Sequence, residues 1–171
     1  MQWDRLEFLL FSLDKYLFIA YFLCLILAVR IEKKASSVLI TLTVVALANG
    51  VMTSLVPLLY RLAANDGIEY KFIWYGTFSL IDVLSIYLLY KFHKLMKQNV
   101  SSIAELAGAA FLSLATLQVA FFIEQYAFAS SYLKPFYQYG IPLINVLLLP
   151  VLVFLWVAQR YHIKQRLQGA L

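Results

Sequence analysis

A nearly unbroken apolar stretch over residues 72–90, FIWYGTFSLIDVLSIYLLY, is the feature that most restricts how this chain can fold. At a rise of about 1.5 Å per residue, a helix of this length spans the ~30 Å hydrocarbon core of a bilayer. The one acid in the stretch, Asp82, falls close to its midpoint. The sequence therefore predicts a transmembrane helix with a carboxyl group near the centre of the bilayer.

A carboxyl group at that depth is costly, by about 2.5–3.5 kcal/mol on the mildest insertion scales. We therefore expect Asp82 to face protein or water. Burial in an apolar setting would favour its protonated form. Tyr75, Ser79 and Ser85 fall on the same side of the predicted helix and form one polar stripe with it. Because an intramembrane acid is a candidate functional group by default, this stripe is the strongest site candidate in the sequence.

The composition agrees with a membrane protein. Hydrophobic residues make up 63% of the 171 residues and charged residues only 13%, whereas soluble domains carry about 25% charged residues. Membrane spans and short connections use up nearly the whole chain, which leaves no room for a soluble catalytic domain. The single cysteine, Cys24, excludes an internal disulfide, and the placement of the basic residues argues against nucleic acid as a partner.

The apolar stretches predict an all-α membrane protein, a single domain that is a bundle of five transmembrane helices. The predicted spans are about 16–30, 37–60, 72–90, 103–126 and 140–158. Residues 1–14 have apolar side chains at helical spacing and charged ones on another side, a pattern typical of an interfacial helix. In the alternative interpretation, the first span begins near Phe8 instead of Tyr16.

The basic residues predict the orientation. Nine of the 14 Lys and Arg residues lie in the loops after spans one and three and in the C-terminal tail, and five lie on the other side. Cytoplasmic loops carry an excess of Lys and Arg, so this distribution predicts an N-terminus outside and a C-terminus in the cytoplasm. The predicted location is the plasma membrane, that is, the cytoplasmic or inner membrane.

Polar residues of other spans reach the depth of Asp82 in this topology. Asn49 and Thr116 lie near the same level, while Asn145 and Glu124 lie further toward the exterior. These groups predict a cavity that narrows at Asp82 and opens outward, with Asp82 as the titrating group of a ligand, proton or cation site. The predicted binding residues are Asp82, Asn49, Ser79, Thr116, Asn145 and Glu124.

A structural interpretation of the same residues competes with the functional one. Polar side chains between membrane helices often only hold the helices together, each bond contributing on the order of 0.6 kcal/mol. We favour that role for Asn49, Asn145 and Thr116, while for Asp82 the two interpretations are balanced. Glu124 is close enough to the membrane boundary to be simply solvated.

Small residues predict the helix-packing surfaces. Ala46 and Gly50 of span two form a small-xxx-small pair that lets another helix approach closely. Span four has a stripe of small and polar residues within about 100° of arc, which is typical of a helix packed on partners. Gln118 points the other way, so this helix is expected to contact protein on two sides. The packing residues predicted on the stripe are Ala109, Ser113 and Ala120.

Catalytic and metal-binding patterns are missing from the sequence. His93 and His162 lie in different predicted cytoplasmic segments without Cys, Asp or Glu at ligand spacing, so no metal site is predicted. We interpret His93 as part of a basic surface. The sequence has no Ser-His-Asp arrangement, phosphate-binding glycine loop or HExxH motif. We therefore expect a protein that is not an enzyme and needs no cofactor.

These observations favour a non-enzymatic membrane module that binds a partner helix or small ligand in a polar cleft around Asp82, as a sensor or a subunit of an assembly. The main alternative is a proton- or cation-coupled transporter or channel that uses Asp82. An intramembrane lipid-modifying enzyme is the third possibility. The expected partners are the lipid bilayer and another membrane protein or a second copy of the chain, with a small ligand, proton or cation in the cleft.

Overall fold

The computed structural model describes the backbone of residues 5–168 and, within it, the side chains of residues 16–161 and 165. This part of the chain is all-helical, as predicted. The elements are α1 (Arg5–Glu32), α2 (Ser37–Ala63), α3 (Ile68–Leu95), α4 (Ser102–Ala127) and α5 (Ile141–Gln168), with a π-helical turn (Phe136–Gly140) that leads directly into α5.

Four segments are long and apolar enough to cross a membrane. They are Ser37–Ala63, Ile68–Leu95, Ser102–Ala127 and Phe136–Tyr161, whose mean hydropathy ranges from 1.6 to 2.5. These segments include most of α2 to α5 and are consistent with a small integral membrane protein.

The first helix is continuous from Arg5 to Glu32. Its backbone therefore has no break between the segment predicted to lie at the interface and the first predicted span. Residues 1–4, and the side chains of residues 5–15 on which the interfacial prediction depends, lie outside the described residues.

Short connections join the helices, so consecutive helices run antiparallel. Ser36 caps α2, because its hydroxyl accepts a hydrogen bond from the backbone N–H of Leu39 at 3.3 Å. The turn at residues 64–67 separates α2 from α3, and its Gly67 has φ of +136°, a backbone conformation that favours glycine.

The five helices form a ring. Each helix packs on the next along the chain, α5 closes the ring on α1, and α2 also contacts α4 across it. Most of the hydrophobic core lies toward the end of the bundle formed by residues 32–37, 93–101 and 156–160, which we call the closed end. This core includes Tyr21, Ala28, Leu42, Val45, Leu89, Phe111, Leu152 and Trp156. The opposite half, which includes the connections 64–67 and 128–135, is called the cavity half.

The predicted small-residue pair of α2 faces α1. A Cβ atom placed on Gly50 would lie 2.7 Å from Cε2 of Phe18, so the glycine makes room for this aromatic ring. Ala46 is buried one turn away. The close approach of α1 to α2 therefore depends on the absence of a side chain at Gly50.

The predicted packing stripe of α4 lies on its outer surface. Ala109 and Ser113 are exposed and Ala120 is half-buried. The residues of α4 that are buried inside this chain lie on the opposite face and include Ala104, Ala107, Phe111, Leu114 and Gln118. Ala109 and Ser113 can therefore act in helix packing only through a partner outside this chain, whereas Ala120 is partly covered by this chain.

Candidate functional site

A cavity of about 390 Å³ lies in the cavity half, between α2, α3, α4 and the start of α5. It extends from the buried carboxyl group of Asp82 to the exposed side chains of Gln125, Ser131 and Lys134. Its volume falls within the range of about 300–1,000 Å³ that is usual for sites that bind small molecules. The cavity is therefore large enough for an organic ligand.

Three buried oxygen atoms without partners belong to residues that line this cavity. They are Oδ1 of Asn49, Oδ1 of Asp82 and Oε1 of Gln118, and none of them has a hydrogen-bond partner among the described residues. Asp82 is 1% exposed and Gln118 is 5% exposed. Because a buried polar group that makes no hydrogen bond costs about 1–3 kcal/mol, native proteins contain few of them. Three residues of one cavity lining thus each carry an acceptor that the described chain leaves unsatisfied.

The inward faces of α3 and α4 place two of these groups. The buried residues of α3 follow one another at intervals of three or four residues, and they include Phe78, Asp82, Ser85 and Leu89. Gln118 lies on the buried face of α4, which packs along α3. Helical spacing thus directs both polar side chains into the bundle, and Asn49 joins them from the middle of α2.

Aromatic rings form much of the cavity wall. Trp74 donates a hydrogen bond from Nε1 to the hydroxyl of Tyr137 at 3.1 Å. The ring of Tyr137 stacks on Phe121 with a centroid distance of 4.4 Å and an interplanar angle of 17°. Phe78 contacts Trp74 edge-on at 5.0 Å. All four side chains line the cavity, so a ligand would meet fixed aromatic surfaces between the mouth and the polar base.

Glu124 holds the connection between α4 and α5 in place. Its carboxylate accepts hydrogen bonds from the backbone N–H groups of Tyr132 at 2.6 Å and Leu133 at 2.8 Å, and from the hydroxyl of Ser130 at 3.0 Å. Glu124 is 7% exposed, which corrects the expectation that it is solvated. It does not line the cavity, but the connection that it holds contributes Ser131 and Lys134 to the lining.

The other predicted binding residues divide into two groups. Asn49 and Asn145 line the cavity together with Asp82. Ser79 is buried one turn of α3 from Asp82 but is not part of the lining. Thr116 lies on the exposed face of α4, where its hydroxyl donates to the carbonyl oxygen of Leu112 at 2.7 Å. The hydroxyl is thus already bonded within its own helix and is directed away from the cavity.

The sequence interpretation did not include the amides Gln118, Gln125 and Gln138 among the binding residues, although all three line the cavity. Gln118 carries a signal that could have identified it. It is a polar residue on an otherwise apolar helix face, the same kind of signal that singled out Asp82.

A second polar cluster lies at the closed end. His93 is 3% exposed, which corrects its interpretation as part of a basic surface. Its Nδ1 donates to the carbonyl oxygen of Leu89 at 2.7 Å, so its Nε2 accepts a hydrogen bond from the hydroxyl of Ser37, also at 2.7 Å. Ser37 Oγ also lies 2.7 Å from Ser101 Oγ. This cluster joins α2, α3 and the start of α4, and both ring nitrogens of the histidine are occupied.

Glu32 makes a comparable cluster between α1 and α5. Its Oε1 accepts hydrogen bonds from Nε1 of Trp156 at 2.8 Å and from Nε of Arg160 at 3.0 Å. The described residues include no group of three or more His, Cys, Asp or Glu that could hold a metal ion. The polar groups of the closed end are therefore best explained as structural contacts.

No protein-family model, curated protein or solved structure matches this chain. The cavity and its unpaired polar groups are accordingly the basis for the functional proposal.

Proposed function

We propose that this protein is an integral membrane module that binds a small ligand in the cavity, with Asp82 as the anchoring residue. The observation that carries the proposal is the set of three buried oxygens, on Asn49, Asp82 and Gln118, that have no partner in the described structure. Side chains that served only to hold helices together would bond to one another, as those of the closed end do. A ligand with hydrogen-bond donors would supply the partners that these oxygens lack.

A screen of small molecules against the full chain in detergent micelles tests this function. We expect a series of compounds that raise the melting temperature of the wild type and fail to do so for Asp82→Asn, because a ligand stabilises only the state that binds it. The matched control is Asp66→Asn, the same chemical change at an exposed loop position. Compounds that stabilise all three proteins equally would contradict a site at Asp82.

The proposal includes a topology with five transmembrane helices in the plasma membrane, the N-terminus outside and the C-terminus in the cytoplasm. The support is the excess of Lys and Arg at the closed end, which would then face the cytoplasm while the cavity opens to the outside. In a Cys24→Ala background, a membrane-impermeant maleimide should label Asp66→Cys in intact cells. Lys34→Cys, exposed at the closed end, should react only after lysis. The reverse pattern would overturn the topology.

A proton- or cation-coupled transporter is the second candidate. Asp82 is the one acidic residue in the described cavity lining and lies where the cavity ends inside the bundle. A carboxyl group at that point can exchange a proton for a cation. Ion-dependent flux in proteoliposomes tests this candidate. We expect Asp82→Asn to abolish the flux and Asp66→Asn to retain it. Equal flux in both variants would exclude this candidate.

A partner protein or a second copy of the chain is proposed for the outer face of α4. The exposed Ala109 and Ser113 would allow another helix to approach closely. We expect Ala109→Leu to break a complex extracted in mild detergent, while Val119→Leu, also exposed on α4, leaves it intact. A complex that survives Ala109→Leu would contradict this contact.

A further inference from the structure

We propose that the cavity selects an organic ammonium, a protonated amine attached to an apolar body of about the size of an aromatic ring. This inference rests on the proposed function, because it assigns a chemical class to the ligand of that cavity. It depends on the chemistry of the base, the walls and the mouth, which are considered in turn.

The base of the cavity carries three oxygens that no donor of the described chain satisfies, beside the NH2 groups of the amides Asn49 and Gln118. The unpaired atoms of Asn49, Asp82 and Gln118 are all oxygens, and one of them belongs to a carboxyl group. A primary ammonium carries one positive charge and three N–H donors on one atom, as the lysine side chain does. Its donors can therefore bond to oxygens of this kind, and its charge is opposite to that of a carboxylate at Asp82. A carboxylate or phosphate, which has only acceptors, would leave all three oxygens without partners.

The walls distinguish an organic ammonium from an inorganic cation. Beside the polar groups, Met52, Val56, Leu114 and the rings of Trp74 and Phe121 line the cavity. A sodium or potassium ion would occupy a small part of the 390 Å³ and leave these apolar surfaces uncovered. An apolar group attached to the ammonium would cover them, and aromatic ring faces also attract a cation.

The positive charge of the lining, on Lys134, lies at the exposed mouth of the cavity and not at its buried base. Lys134 is the one cation in the described lining and is exposed, on the connection that Glu124 holds. It stands among the amides Gln125 and Gln138. A cationic head group would therefore move past a polar mouth to reach its counter-charge at Asp82, and the apolar body would remain between the aromatic rings.

Three probes with the same ring and different head groups test the assignment. They are 2-phenylethylammonium, 2-phenylethanol and 3-phenylpropanoate, measured by equilibrium dialysis against the full chain in detergent micelles. We expect the ammonium to bind at least about 10-fold more tightly than the alcohol or the carboxylate. The emission of Trp74 should change with the same affinity, and this signal should be lost in Trp74→Phe.

Variants connect the selectivity to the base of the cavity. Asp82→Asn should weaken ammonium binding by about 10- to 100-fold, the usual consequence of losing a hydrogen bond to a charged group, and should leave binding of the alcohol unchanged. Gln118→Leu should weaken ammonium binding less, by about 3- to 10-fold. Asp66→Asn should bind all probes like the wild type. If Asp82→Asn does not fold, Asp82→Glu, which keeps the charge, and Gln118→Leu provide the comparison.

The outcomes separate the ligand class from the proposed function. Binding of the alcohol or carboxylate as tightly as the ammonium overturns the ligand class and leaves the cavity as a binding site. Sodium or potassium chloride alone could also change the emission of Trp74. If Asp82→Asn removes that change, the base binds an inorganic cation, and the assignment of an organic ammonium is overturned. If the three probes fail and the screen yields no compound that depends on Asp82, both proposals fail.

Discussion

The closed end and the cavity half contain the same kinds of buried polar side chain but differ in how these side chains are bonded. At the closed end, both ring nitrogens of His93 are occupied, and the carboxylate of Glu32 accepts two side-chain hydrogen bonds. In the cavity half, Asn49, Asp82 and Gln118 each have a buried oxygen without a partner in the described structure. The two regions therefore differ in whether the described chain itself satisfies its buried polar groups.

The difference separates polar residues that are bonded between helices from those whose oxygens the described chain leaves without a partner. A membrane helix bundle gains little from the hydrophobic effect between helices, so bonds such as those of the closed end help to fix their positions. Unpaired acceptors give no such gain and have a cost when the cavity is empty. Their presence beside a cavity, and not within the packed core, is what favours a binding role.

The largest change in the free energy of unfolding is expected for a substitution at the closed end. His93→Ala removes a buried ring and its bonds to Leu89 and Ser37, and should lower the free energy of unfolding by about 2–4 kcal/mol. Unfolding with SDS in mixed micelles measures it. Lys91→Ala, at an exposed position two residues away, should unfold like the wild type. Equal stability of the two variants would show that the closed end does not hold the bundle.

Glu124→Ala should have the next largest effect, confined to the cavity half. Three donors of the connection lose their acceptor, but water can reach them on this largely exposed connection. We therefore expect a total loss of about 1.5–3 kcal/mol, the value of a single bond to a charged group. Hydrogen exchange should accelerate at the amides of Tyr132 and Leu133 and remain unchanged at the closed end. Glu105→Ala, an exposed acid of the same helix, is the control. Unchanged exchange in the connection would contradict the anchoring role.

The helices themselves could be predicted because each is an apolar run bounded by charged or turn-forming residues. The stretch 72–90 lies inside α3, and Asp82 could be identified as a candidate because it interrupts that stretch. The all-α fold follows from these runs, since in lipid a chain must satisfy its backbone polar groups within each segment.

The direction that each helix faces could not be predicted in the same way. On α4, apolar residues surround the helix, because lipid on the outside and protein on the inside both accept them. The hydroxyls of Ser113 and Thr116 donate to carbonyl oxygens one turn earlier, at 2.9 and 2.7 Å, so these residues need no partner helix and can face outward. Small polar residues therefore indicated the inward face of α4 less well than the single amide of Gln118 did.

His93 and Glu124 were misinterpreted for a different reason. The sequence around His93 is basic, and Glu124 lies near a predicted membrane boundary. Both features suggested solvent-exposed positions. The groups that bury them come from elsewhere in the chain, Ser37 of α2 for the histidine and the backbone of the 128–135 connection for the glutamate. Such contacts depend on tertiary packing, which the local residue pattern does not contain.

A smaller effect is expected for Glu32, just beyond the first predicted span. Burial alone would raise the pKa of Glu32, but the hydrogen bonds from Trp156 and Arg160 and the charge of Arg160 outweigh it and lower the pKa below the ordinary value of 4.5. A carboxyl group with a lowered pKa contributes stability above its unfolded-state pKa and loses it as the pH falls through the folded-state value. Since Arg160 is largely exposed, the contribution at neutral pH should be below about 1 kcal/mol.

Unfolding of Glu32→Gln and the wild type at pH 7 and below pH 4.5 measures this contribution. The difference between the two proteins should be largest at pH 7 and should shrink as the pH falls below 4.5. Glu69→Gln, an exposed acid in the cavity half, is the control. A difference that grows on acidification would contradict the sign assigned to Glu32.

The smallest change in stability, and the most direct test of the comparison, is expected for Asp82→Asn. Since Oδ1 of Asp82 accepts no hydrogen bond from the described residues, the substitution breaks no identified contact and removes the cost of burying an ionisable carboxyl group. The free energy of unfolding of the empty protein should stay unchanged or rise by up to about 1 kcal/mol, as is common where a binding site is kept at the expense of stability. A residue that holds helices together would instead show a loss, as His93→Ala should. Unfolding with SDS distinguishes a binding role from a structural one, with Asp66→Asn as the control. If Asp82→Asn lowers the free energy of unfolding as much as His93→Ala does, Asp82 is a structural contact and the cavity has no anchoring residue.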